Sequence, residues 1–282
     1  MSNTPLQELI CLMGQPVAGN PTQFMMERAF AASALDWRYL TFEISPDQLD
    51  DAMRGFRVMG FRGANFTLPH KVSVIPYLDE LSQAAQLMGA VNCVVRSDDR
   101  LLGDNTDGKG FVQSLRKVTD PKEKNVVILG AGGASRAIAV ELALSGVEKI
   151  TVVNRTAQRG EELAELLNDK TDVQAEYQRW EDNFAIPEEA DIVINATSIG
   201  LGDVEERVPI EVESLQSSMV VADVIFNPPM TWFLEQADKR SCTILDGLGM
   251  LVNQGVIAFK IWTGIDPDAD VMRESLEEYL EI

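Results

Sequence analysis

At 282 residues the chain is longer than a typical single domain of about 100 to 150 residues, so two domains are expected. Its 24 Lys and Arg against 44 Asp and Glu give a net charge of −20, a balance that repels phosphate backbones and acidic membrane surfaces and argues against nucleic-acid binding. Cys11, Cys93 and Cys242 are odd in number, far apart and in no CxxC arrangement, which speaks against a disulfide framework and a zinc site and predicts buried thiols.

The chain opens without a basic n-region and long apolar run, and no stretch of about 18 apolar residues occurs, so no membrane association is indicated and a cytoplasmic location is expected. CLMG and YLTFEI read as strands. In SPDQL, Ser45 stands at N-cap, Pro46 at N1 and Gln48 at N3, the pattern of a capping-box helix start. FRGANFT reads as a third strand and KVSVIPYL as a helical or mixed segment. Residues 1–105 therefore form an α/β domain of their own.

From Asn125 to Leu245 the alternation is clearer. NVVIL, KITVV, DIVINAT, MVVADVIF and CTIL are short buried strands spaced by helical patterns such as ASRAIAVELALSG, which predicts a parallel, doubly wound sheet. The tail reads as two helices, the first with Met250 and Gln254 one turn apart on one face.

NVVILGAGGASRA is a strand, a glycine-rich turn and a helix start, the context of a dinucleotide fingerprint formed by Gly130, Ala131, Gly132, Gly133, Ala134 and Ser135. Gly130 permits the tight turn, Gly132 lets backbone approach a pyrophosphate at the helix N-terminus, and Ser135 replaces the third glycine with another small residue. A glycine-rich turn without a ligand is the alternative. The next strand ends in Asn154, Arg155 and Thr156: a ribose-binding carboxylate is missing and a guanidinium suited to a 2′-phosphate is present, which predicts NADP.

Polar residues also collect beside turns and glycines: Asn65 and Thr67 before PHK, Asn92 in GAVNCV, Asn105 and Asp107 in GDNTDGKG. They suit either a hydroxyl-rich ligand or an internal network, and for Asn92 and Asn105 turn chemistry is an equal alternative. GDNTDG lacks the spacing of an EF-hand, so no metal is expected.

NFTLPHK, GAVNCV, GDNTDGKG, GAGGASRA, NRT, NATSIGL, DVIFNPPMT and GMLVNQ, in that order between residues 10 and 264, together resemble the shikimate dehydrogenase family. The resemblance implies an N-terminal α/β substrate domain, residues 1–105 completed by the C-terminal helices 247–282, and a Rossmann-like NADP domain, 106–246. It implies NADPH-dependent reduction of 3-dehydroshikimate to shikimate, a small-molecule partner, and a monomer or homodimer. Thr197, Ser198, Val224, Gly247 and Met250 would join the cofactor site. Asn65, Thr67, Asn92, Asp107 and Gln254 would hold substrate hydroxyls.

NFTLPHK contains the only histidine, followed at once by a lysine. By free pKa, His at about 6.5 suits proton transfer near neutrality better than Lys at about 10.4. The resemblance instead places the acid-base group at Lys71, paired with Asp107, and leaves His70 a packing or hydrogen-bonding role. A ketone under reduction builds negative charge on oxygen, which an ammonium both stabilises and protonates.

The sequence departs from the family at one end of the ligand. The serines of the family's SxSP loop, which hold the substrate carboxylate, read Asn20 and Thr22, its proline reads Gln23, and the tyrosine of DVxYxP reads Phe226. Losing one hydrogen bond to a charged group costs about 1.5 to 3 kcal/mol, a tenfold to hundredfold loss of affinity. Three readings follow: a shikimate dehydrogenase with a rebuilt anchor, a paralogue acting on quinate, an aminoshikimate or a substrate with a modified carboxylate, and an NADP-binding sensor without turnover.

Overall fold

The computed structural model describes residues 6–282; residues 1–5, where the expected first domain begins, lie outside the described residues. The chain divides into two units. The first runs to Thr106 and resumes over Gly255–Glu281; the second is Asp107–Gln254. The return thus falls inside a long helix rather than at residue 247, where that helix starts.

In chain order the first unit holds β1 (Glu8–Gly14), α1 (Thr22–Ala32), β2 (Trp37–Glu43), α2 (Leu49–Val58), β3 (Gly63–Phe66), α3 (His70–Ser73), β4 (Glu80–Leu81), α4 (Gln83–Met88), β5 (Cys93–Ser97) and β6 (Arg100–Asp104). At its boundary starts α5 (Thr106–Leu115). The second unit continues with β7 (Asn125–Leu129), α6 (Gly133–Leu144), β8 (Lys149–Asn154), α7 (Ala157–Lys170), β9 (Gln174–Arg179), β10 (Ile192–Asn195), β11 (Val220–Asp223), α8 (Trp232–Lys239) and β12 (Thr243–Leu245). Helices α9 (Gly247–Thr263) and α10 (Ala269–Leu280) follow.

The first sheet has the order β2-β1-β3-β5-β6-β4 among the described residues. Strands β2, β1 and β3 are parallel, whereas β5 runs antiparallel to both β3 and β6. One face of β1 and β3 packs Cys11, Met13, Ala64 and Phe66 against Leu49, Met53 and Phe56 of α2, the i, i+4, i+7 stripe of an amphipathic helix. The 3-10 turn Pro46–Gln48 that leads into α2 begins as the sequence predicts: Ser45 and Gln48 form a capping box with Pro46 at the first position. On the opposite face Gly63 leaves room for the indole of Trp262, whose Nε1 donates to the Val94 carbonyl at 2.9 Å. An added Cβ there would overlap that ring, so glycine is required by close approach.

The second sheet is parallel throughout, in the order β12-β11-β10-β7-β8-β9. Its central strands are nearly unbroken apolar runs, the pattern of a sheet covered on both faces. Strand order reverses at β7, between β8 on one side and β10 on the other. Glycines of GDNTDGKG set the packing of α5: a Cβ on Gly108 would overlap the Ala137 carbonyl in α6, and one on Gly110 would sit 2.6 Å from the Gln254 amide and 2.9 Å from the Met250 carbonyl in α9.

Candidate functional site

In the first unit the register collects the predicted polar residues at one edge of the sheet. Met13 of β1 pairs with Phe66 of β3, Asn65 with Cys93 at the start of β5, and Cys93 with Asp104 at the end of β6. The loops after β1, β3 and β6 and the turn before β5 therefore emerge together. They carry Asn20 and Thr22, Thr67 and Lys71, Asn105 and Thr106, and Asn92 respectively.

Backbone bonds stitch these loops to each other. The Phe66 amide donates to the Asn92 carbonyl (2.9 Å), the Thr67 amide to the Met13 carbonyl (3.0 Å), and the Val91 amide to the Lys71 carbonyl (2.7 Å). Asn92 is buried, its Oδ1 accepting from the Thr106 amide at 2.7 Å while its Nδ2 donates to the Thr106 hydroxyl at 3.0 Å. These bonds join Asn92 to the start of α5. Asn20 Oδ1 accepts from the Thr22 amide at 3.0 Å, closing the turn before α1, and Thr22 is buried.

His70 is fully buried, and its Nε2 lies 2.7 Å from the Ile44 carbonyl, which can only accept, so Nε2 donates. The ring ties the loop after β3 to the chain leaving β2. Lys71, beside it in the first turn of α3, is half-buried. In the second unit, Asp107 stands in the first turn of α5, beside the close approach at Gly108. Gln254 is buried in α9 and donates from Nε2 to its own helix at Leu251 (3.0 Å).

Parallel pairing gives the second sheet a single functional edge as well, since Leu129, Asn195 and Asp223 stand in one row at the carboxyl ends of β7, β10 and β11. Ligands of open α/β sheets bind at this edge, where strand order reverses. There Gly130 adopts φ +105°, donates to the Val153 carbonyl at 2.7 Å, and leaves no room for a side chain against Thr197, 2.9 Å from an added Cβ. Ser135 is buried and its hydroxyl donates to the Gly130 carbonyl at 2.6 Å, closing the turn.

Gly132 and Gly133 are exposed with open space where a Cβ would stand, and α6 starts at Gly133 with no side-chain cap. Uncapped helix amides over bare backbone form a cradle that fits a dinucleotide pyrophosphate. One strand over, Asn154 Nδ2 donates to the Thr156 carbonyl at 2.8 Å and Arg155 is exposed between them. Ala131 and Ala134 flank the glycines, Ser198 follows Thr197, and Val224 donates to the Asn195 carbonyl at 3.0 Å. Gly247 donates to the Ile225 carbonyl at 3.2 Å and Met250 lies one turn along in α9.

A network beneath these loops was not assigned from sequence. Asp223, 1% exposed, accepts from Asn195 Nδ2 at 3.0 Å, the Thr231 hydroxyl at 2.8 Å and the Ile225 amide at 3.0 Å. Asn195 Oδ1 in turn accepts from the Thr197 hydroxyl at 2.7 Å. The signal available was a polar residue closing each of two apolar strands, DIVINAT and MVVADV. Burial raises the Asp223 pKa to about 6, against the lowering effect of its three donors. Among the described residues no group of three or more His, Cys, Asp and Glu is placed to hold a metal, and no helix is long and apolar enough to cross a membrane.

Three family models match the chain: the shikimate dehydrogenase substrate binding domain over residues 12–94, shikimate / quinate 5-dehydrogenase over 113–227, and the shikimate 5′-dehydrogenase C-terminal domain over 247–277. The shikimate dehydrogenase (NADP(+)) of Desulforamulus reducens is 40% identical, across 95% of this chain and 94% of its own. The shikimate 5-dehydrogenase of Listeria monocytogenes, solved with shikimate and NAD, superposes with a TM-score of 0.91 at 37% identity, covering 98% of each chain. The ligand-free 5-ketofructose reductase of Gluconobacter sp. strain CHM43 superposes with a TM-score of 0.96 at 50% identity, covering 98% of this chain and 99% of its own.

Asp223 generates a pH dependence whose sign follows from linkage. A carboxyl whose folded pKa is about 6, above the unfolded 3.8, binds its proton more tightly when folded, so its stability contribution is present at low pH and lost as pH rises through about 6. Relative to Asp223→Asn, which lacks this titration, the wild type is expected to lose about 1 kcal/mol between pH 5 and pH 7. Urea denaturation of both proteins at the two pH values measures it; parallel pH slopes contradict the assignment.

Proposed function

Because the chain belongs to the shikimate dehydrogenase family, we propose that it is an NADP-dependent oxidoreductase of that type, acting on a CH–OH group and interconverting shikimate and 3-dehydroshikimate in aromatic amino-acid (chorismate) biosynthesis. The observation that carries this reading is the gathering of Asn65, Thr67, Lys71 and Asn92 at one strand edge of the first unit, with the pyrophosphate cradle at the corresponding edge of the second.

When bound, NADPH supplies the hydride that reduces the carbonyl carbon. Gly130, Gly132 and Gly133 would offer backbone to its pyrophosphate, and Arg155 would pair with its 2′-phosphate. Lys71 Nζ donates a proton to the ketone oxygen as charge develops there. Asp107 is the carboxylate that the family pattern assigns to proton transfer alongside Lys71. Asn65, Thr67, Asn92 and Gln254 orient the hydroxylated ring, with donors and acceptors suited to a polyol. His70 stays outside the chemistry, since its Nε2 is engaged at Ile44. Cys11, Cys93 and Cys242 are buried free thiols, the form suited to a reducing cytoplasm, where we place the protein.

A second reading has its own observation. Asn20 and Thr22 replace the carboxylate-binding serines and Phe226 the tyrosine. A groove of about 430 Å³ beside Asn20, lined by Val17, Gln23, Phe24, Glu27 and Thr41 among others, has Glu27 as its one charged side chain among the described residues, and Glu43 Oε2 lies 3.5 Å from the Val17 amide. Carboxylates at this end disfavour an anionic substrate and suit an uncharged polyhydroxy ketone. The 50%-identical structure is named a 5-ketofructose reductase, and 5-ketofructose has no carboxylate.

Absorbance at the nicotinamide band decides between them, with NADP plus shikimate, and NADPH plus 3-dehydroshikimate or 5-ketofructose, in parallel. Turnover with the shikimate pair supports the first reading; turnover with 5-ketofructose alone supports the second; none with any of them overturns both. Lys71→Ala is expected to lower kcat about 10²- to 10⁴-fold while NADP affinity holds, and wild-type rates in this variant would remove Lys71 from the mechanism. Arg155→Ala is expected to weaken NADP by about tenfold to hundredfold and to leave NAD unchanged, read by titrating each cofactor.

A further inference from the structure

We propose that Tyr39 is a positioning residue for the substrate-binding amide of Asn65. The inference rests on the reading that Asn65 holds a substrate hydroxyl, and it adds a residue that none of the motifs contains.

Tyr39 pairs with Ile10 and Asn65 with Leu12, so β1 lies between the two residues. Ile10 and Leu12 are two apart in one strand and project to the same face, and across that face the Tyr39 hydroxyl reaches Asn65 Oδ1 at 2.7 Å. Tyr39 is fully buried. Phenylalanine would fill the same volume without burying a hydroxyl, so the structural need for the oxygen is its one hydrogen-bond partner among the described residues, Asn65.

The orientation of the Asn65 amide follows from its neighbours. Its second contact is the Asn92 carbonyl, 3.0 Å away. A carbonyl only accepts, so Asn65 turns Nδ2 toward Asn92 and Oδ1 toward Tyr39, and the tyrosine hydroxyl donates. The two bonds hold the amide from opposite sides and leave one Nδ2 hydrogen and one Oδ1 lone pair for a ligand. Burial, with lesser contributions from Cys11 and Cys93, pushes the Tyr39 pKa well above its ordinary value, so the donor stays protonated across the working pH range.

Tyr39 is itself fixed at both ends. Its backbone amide donates to Glu27 Oε1 of α1 at 2.5 Å, and its ring packs against Trp262 of α9 with centroids 6.2 Å apart. Removing the hydroxyl alone leaves this packing in place while freeing the amide of Asn65 to rotate.

The test is a double-mutant cycle of Tyr39→Phe and Asn65→Ala, assayed with shikimate or 5-ketofructose, whichever the protein turns over, with NADP affinity and thermal stability measured alongside. Tyr39→Phe is expected to raise the substrate KM roughly tenfold with kcat changed far less and NADP affinity unchanged. In the Asn65→Ala background the same substitution is expected to have no further effect on KM, because the group it positions is gone. If Asn65→Ala does not fold, Asn65→Ser takes its place. An unchanged KM in Tyr39→Phe, or an equal rise in both backgrounds, overturns the proposal while leaving Asn65 as a substrate ligand. An unchanged KM in Asn65→Ala removes the reading on which the proposal rests, as does the absence of turnover with both substrates.

Discussion

Parallel pairing sends every loop that follows a strand to one edge of its sheet, and both sheets of this chain depend on that constraint. In the first unit it brings the loop of Asn20 beside that of Thr67, while antiparallel β5 adds Asn92 by starting where β3 ends. In the second it aligns Leu129, Asn195 and Asp223, so that the glycine turn meets Thr197 where the strand order reverses. Residues distant in sequence meet because the register leaves their loops nowhere else to emerge.

Loops held only by their ends would be mobile, and here buried polar groups hold them. Asn195 and Asp223 join the loops after β10 and β11, and Asn92 joins the β5 turn to the start of α5. Each such group is stable inside only while its partners are present, since an unsatisfied buried polar atom costs about 1 to 3 kcal/mol. The cost is visible at Asp223, whose carboxyl resists ionisation even with three donors around it. Specific loop geometry and a pH-sensitive core are thus two consequences of one arrangement.

The substrate end shows how one scaffold separates reaction type from substrate. Lys71 and Asp107, the proposed proton-transfer pair, stand at positions that match the family pattern, while Asn20, Thr22 and Phe226 stand where that pattern has two serines and a tyrosine. The carboxylates of Glu27 and Glu43 stand beside the Val17–Asn20 loop. The proteins this chain is similar to include both shikimate dehydrogenases and a 5-ketofructose reductase, one scaffold with two named substrates.

Much of the fold was legible because its signals are local. NVVIL and KITVV are strands by apolar run, SPDQL a helix start by its capping box, and GAGGAS a turn by its glycines. Strand β9, QAEYQR, carries no apolar run because an edge strand beside α7 needs none, and the β5–β6 hairpin blurs the alternation of the first unit. By itself the sequence determined the fold class, the glycine-rich turn and the absence of an acid beside Arg155. The tertiary structure alone decided that Asn92 caps α5, that Asn195 and Asp223 bind two loops together, and that Tyr39 reaches across β1 to orient Asn65. Those bonds join residues 14, 28 and 26 positions apart, and hydrogen bonding at such separation is set by sheet register and burial, which leave no period or motif in the chain.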